Sequence, residues 1–168
     1  MKAFLLRFPE LLGVGIGLLD AMPRVIAATV YAPAAASMHG PLLIGNVHHV
    51  NGTRAFGLDS MAWFAASGAA LAALYLALRV AARPLDPHNV AYLLARGLFG
   101  AMAGVLLLNV AESLLTGKVT NYVGLVFGGR FTAVNFGDLL LWLCLLALVP
   151  AVTGAFALHV VARPRVGG

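Results

Sequence analysis

The sequence predicts an all-α integral membrane protein of four transmembrane helices, both termini cytoplasmic, with a small irregular or β-rich extracytoplasmic region. Three observations lead there: 61% of the 168 residues are hydrophobic, 10% are charged, and the apolar residues gather into four long runs. Soluble domains are roughly half apolar and a quarter charged. A mean hydropathy of +0.93 in so short a chain therefore excludes a water-soluble core. The length suits one domain, 1–168, and the 19 glycines suit membrane helices that meet through small side chains.

A hydrocarbon core about 30 Å thick takes roughly 20 helical residues to cross. The runs 11–31, 60–82, 90–115 and 136–161 qualify. Asp20, Pro23 and Arg24 interrupt the first run and no clean small-residue cleavage site closes it, so it reads as a retained helix. Between the runs lie two long connections, 32–59 and 117–135, and one short turn, 83–89. The first connection is rich in Pro, Gly, His and Asn; the second alternates Val, Tyr and Phe around Gly128 and Gly129. Lys2, Arg7, Arg79, Arg83, Arg163 and Arg165 all fall on the side of the short turn and the termini, which the positive-inside rule places in the cytoplasm. Both long connections then lie outside, although they carry Arg54, Lys118 and Arg130. Trp63 and Trp142, near helix starts on that outer side, suit an interfacial aromatic belt.

The net charge of +5 is scattered between apolar runs, which argues against nucleic-acid binding. Cys144 is the single cysteine, so neither a disulfide nor a cysteine-based metal site is available. His48 and His49 are adjacent and point apart in most backbone conformations, while His39, His88 and His159 are scattered. No metal and no cofactor are expected; the alternative is axial ligation of a haem or chlorin by one helix-end histidine.

Ionisable groups inside a membrane cost several kcal/mol unless paired or hydrated, which makes them functional candidates. Asp20 and Arg24, four apart, share a helix face and form a structural pair that orients the first helix, or a site. Pro23 between them is expected to kink the helix. Arg96 has no sequence partner and either snorkels or pairs across helices. Asn109, Glu112, Asn121, Asn135 and Asp138 crowd the outer end of the third helix and the entry of the fourth. They line a hydrated cleft that holds a membrane-tethered substrate, or they only bond helix ends and a polar loop.

The order of these residues resembles the lipoprotein signal peptidase (signal peptidase II) superfamily. LLDAMPR (Leu18 to Arg24) is similar to its Asp-Gln-x-x-Lys element, and NGTRAFG (Asn51 to Gly57) to its Asn-x-Gly-x-Ala-Phe-Ser/Gly segment. NVAESLLTGKVTNYV (Asn109 to Val123) resembles Asn-x-x-Asp-Arg followed by Val-x-Asp-Phe, and VNFGD (Val134 to Asp138) resembles Phe-Asn-x-Ala-Asp. The resemblance implies a four-helix aspartic endopeptidase of the bacterial cytoplasmic (inner) membrane that removes signal peptides from diacylglyceryl-modified prolipoproteins. Its catalytic pair would fall at Asn121 and Asp138, so one aspartate is replaced by an amide. Glu112 stands for the Asp and Ser113 for the Arg of Asn-x-x-Asp-Arg, and leucines replace helix-packing glycines before Asn109. Asn51, Asn109, Glu112 and Asn135 would line the lipopeptide cleft.

An aspartyl dyad shares one proton, one carboxylate activating water while its protonated partner polarises the scissile carbonyl. An amide cannot exchange these roles, and Glu112, nine residues before Asn121, is the only nearby carboxyl to stand in. The sequence therefore predicts a diverged, non-catalytic member acting as a binding or accessory subunit of a membrane assembly. The alternative is an active aspartic endopeptidase. Expected partners are membrane lipids and a lipid-modified peptide or other membrane subunits.

Overall fold

A computed structural model describes residues 7–32, 35–39, 42–50, 59–127 and 130–162. The first apolar run folds as two helices, α1 (Pro9–Leu18) and α2 (Ala21–Val30), broken at Leu19 and Asp20. The break lies ahead of Pro23, because a proline ring clashes with the carbonyl four residues earlier, which here belongs to Leu19. At the third position of α2 its missing N–H is no loss, since that donor would have no intrahelical partner. The remaining spans are α3 (Ser60–Ala81), α4 (Val90–Thr116) and α5 (Phe136–Ala162). Asp59 caps α3 by accepting the Ala62 N–H at 2.7 Å, and Asn89 caps α4 by accepting that of Tyr92 at 3.1 Å. Counting α1 and α2 as one, four helical spans among the described residues are long and apolar enough to cross a membrane.

The two long connections supply one antiparallel sheet, β1 (Ala36–His39), β2 (Leu42–Val50), β3 (Lys118–Phe127) and β4 (Arg130–Val134), in that spatial order. Of the irregular and β-rich alternatives, the described parts of these connections take the β-rich one. Gly117, in the left-handed conformation at φ 72°, ends α4 and turns the chain straight into β3. Val47 pairs with Asn121, and the register slips between Ile44 and Val47, where Gly45 lies tight against Ala35 and Ala36.

α4 is the centre of the bundle and packs on α1, α5 and α3, whereas α3 touches little besides α4. The α1–α4 seam is built from glycine. A Cβ at Gly13 or Gly17 would fall under 3.0 Å from the α4 backbone, and one at Gly100 or Gly104 under 3.0 Å from that of α1. The pattern is small-x-x-x-small on both helices, which lets two backbones meet. Large apolar side chains such as Leu19, Leu115, Trp142 and Val161 point outward, where the solvent is lipid.

Candidate functional site

The helix break and the glycine seam together bring charges from two spans into one buried lattice. Asp20 is fully buried at the α1–α2 break and Arg24 lies one turn on, 5% exposed. Arg24 uses its whole guanidinium: Nε and Nη2 donate to Asp20 Oδ2 at 2.7 and 2.5 Å, Nη2 also to Asn109 Oδ1 at 2.5 Å, and Nη1 to Glu112 Oε2 at 2.5 Å. Asn109 and Glu112, three apart, share one face of α4. Thr120 donates to Glu112 Oε1 through its N–H at 3.1 Å and its hydroxyl at 2.5 Å. The Tyr122 hydroxyl donates to Asp20 Oδ1 at 2.5 Å and accepts the Phe136 N–H at 2.7 Å. The lattice therefore ties the first span, the third span, β3 and the start of α5 together.

Strand periodicity divides β3. Thr120 and Tyr122 face the lattice, and Asn121 between them serves a second group. Asn121 Nδ2 donates to the Ala133 carbonyl at 3.1 Å, and its Oδ1 accepts from Asn135 Nδ2 at 3.0 Å. Asn135, fully buried, caps α5 through Oδ1, which accepts the Asp138 N–H at 2.8 Å; in return the Asn135 N–H donates to Asp138 Oδ2 at 3.2 Å. This reciprocal exchange is a capping box with Asn and Asp as its members. Asn121 and Asp138 thus belong to one cluster with Asn135 bridging them. The two groups abut at Gly137, where a Cβ would lie 2.9 Å from both Asn135 Oδ1 and Asp20 Oδ2.

Glu112 accepts from Arg24 and twice from Thr120, and it lies in the lattice rather than in the Asn121 cluster. Both its oxygens are thereby occupied, one of them by the Arg24 guanidinium. Asn51 lies outside the described residues, as does the 51–57 segment. The side chains of His48 and His49 are likewise not described, and among the described residues no group of three or more His, Cys, Asp or Glu could hold a metal. Arg96 meets a partner across helices, donating to Glu10 at 2.6 and 2.9 Å.

Sequence reasoning missed Tyr122 and Thr120. Their signal was a polar group at every second strand position beside Asn121, on a chain otherwise apolar. Burial and the Asp20 carboxylate push the Tyr122 phenol well above its ordinary value of 10.0. Unfolding returns it to about 10, so above that pH the unfolded chain loses its proton first. Stability is whole below about pH 10 and falls as pH rises toward the folded value. Tyr122→Phe is expected to cost roughly 1.5–3 kcal/mol at neutral pH, the scale of a hydrogen bond to a charged group. The gap to the natural protein should narrow in thermal unfolding near pH 11; a pH-independent gap would contradict the assignment.

These features define a four-span membrane protein with a buried polar centre where its helices meet a small sheet. Two solved structures, each described as a bacterial membrane enzyme determined by the in meso method, share this fold. One, at 1.9 Å resolution, is 23% identical with a TM-score of 0.57, covering 86% of this chain and 91% of its own. The other, at 2.3 Å resolution, is 21% identical with a TM-score of 0.56, covering 95% and 93%. The likeness shows a bacterial membrane-enzyme fold. No protein-family model and no curated protein matches the chain.

Proposed function

We propose that this chain is a non-catalytic relative of the lipoprotein signal peptidases, a binding or accessory subunit of a bacterial inner-membrane assembly. The termini face the cytoplasm and the sheet faces outward. One observation carries the reading: the residue aligned with the first catalytic aspartate is Asn121, held by neutral bonds to Asn135 and Ala133. The one nearby substitute, Glu112, is engaged by Arg24 and Thr120. An amide can orient a carbonyl or a water but cannot cycle a proton near neutral pH. A lipid-modified peptide or another membrane subunit is the partner that the resemblance implies.

The purified protein is expected to leave a diacylglyceryl-modified prolipoprotein intact, with no further change on Asp138→Ala, and to copurify with a membrane protein at fixed stoichiometry. Asn121→Asp is expected to restore only weak turnover, because Ser113 and the leucines before Asn109 keep the cleft reshaped. Cleavage by the unaltered protein that vanishes in Asp138→Ala would establish the active endopeptidase instead.

A further inference from the structure

At mid-height of the bundle, α1, α3 and α4 leave an apolar slot of about 340 Å³. Small residues open it: Gly68 and Ala72 on α3 and Ala103 on α4, with Val14 and Leu106 as walls. Ala72 and Leu107 are exposed, so the slot opens sideways into the membrane. Along α4 its lining runs from Phe99 to Leu107, about 12 Å of helix. That length approaches the depth of one leaflet, roughly half of a 30 Å hydrocarbon core.

The slot has a charged mouth. Glu10 and Tyr75 line it, in the first turn of α1 and near the last turns of α3. Arg96 occupies both Glu10 oxygens at 2.6 and 2.9 Å. Arg79 lies 3.6 Å from Glu10, donates to the Tyr75 hydroxyl at 3.1 Å, and is 49% exposed. Two guanidinium groups against one carboxylate leave a positive charge at the membrane surface, carried by the more exposed Arg79.

We infer that this slot holds one acyl chain of an anionic phospholipid from the leaflet on the side of the 83–89 turn, with its phosphate against Arg79. The depth of about 12 Å, the apolar walls and the charge at one end match a single acyl chain with its headgroup at the mouth. Apolar walls exclude a headgroup from the interior, and the charge at the mouth selects a negative one.

The full-length protein would be purified in detergent with equimolar phosphatidylglycerol and phosphatidylcholine of identical acyl chains, and retained lipid counted by native mass spectrometry. One phosphatidylglycerol per chain is expected, preferred by about fivefold, the scale of one basic residue at an anionic surface. Arg79→Gln, at a half-exposed position, should abolish the preference, and Ala72→Phe, which fills the slot from its open side, should abolish retention of both lipids. Equal retention of the two lipids by the unaltered protein would overturn the inference. So would a preference unchanged by Arg79→Gln, or retention unchanged by Ala72→Phe in a protein that still folds.

Discussion

Replacing Arg24 with methionine is expected to destabilise the protein by about 3–5 kcal/mol, the range for breaking a buried ion pair from one side. Arg24 is the only cation in the lattice, and its loss leaves Asp20, fully buried, and Glu112, 17% exposed, without a counter-charge. Water cannot take its place inside the bundle, so both carboxylates would have to take up protons or force the first span away from α4. Arg24→Lys should recover only part of the loss, because an ammonium lacks the planar fork that reaches Asp20, Asn109 and Glu112 at once. The combined change Asp20→Asn, Arg24→Met and Glu112→Gln removes all three charges and should cost far less than Arg24→Met alone. Reversible unfolding in mixed micelles would measure all three variants. A loss under about 1 kcal/mol for Arg24→Met would place these ions among weak surface pairs and refute a lattice that holds two spans together.

Gly17→Leu is expected to cost as much as the upper part of the roughly 1–3 kcal/mol range for overpacking, and to separate α1 from α4. Its new Cβ would meet the Ala101 carbonyl, the Val105 N–H and the Gly104 Cα, all under 3.0 Å and all backbone. Backbone cannot rotate away as a flexible side chain does, so the helices must part. Because Asp20 follows three residues later, the parting would pull it and Arg24 from Asn109 and Glu112. Gly15→Leu is the control on the same helix: nothing lies within 4 Å of its Cβ position, and replacing glycine in a helix favours folding by up to about 1 kcal/mol. Unfolding of both variants under one condition tests the seam. Equal losses at the two positions would show that helix propensity, rather than close approach, sets the effect.

The transmembrane content was legible because bilayer thickness acts on contiguous sequence. A run of apolar residues is local information, and no tertiary contact is needed to read it. The same holds for the spacing that puts Asp20 and Arg24 on one helical turn, and for the hydropathy that marks Ser60–Ala81 as a span. The break at Leu19 was only half legible: Pro23 announced a disruption, but its ring acts on the carbonyl four residues back, so the bend precedes the proline.

What the sequence by itself determined is therefore the number of spans, their approximate positions and the roster of polar groups placed among them. The tertiary structure decided who meets whom. Arg96 found Glu10 and Arg24 found Glu112 across 86 and 88 residues of chain, distances at which one sequence holds no pairing information. Strand pleating decided that Thr120 and Tyr122 join the lattice while Asn121 turns to Asn135, and the reciprocal cap between Asn135 and Asp138 set the bridge from Asn121 to Asp138. The physical reason is common to all of these. Burial in hydrocarbon is a property each segment carries alone, whereas satisfying a charge or a donor there requires a partner, and only the packed bundle supplies one.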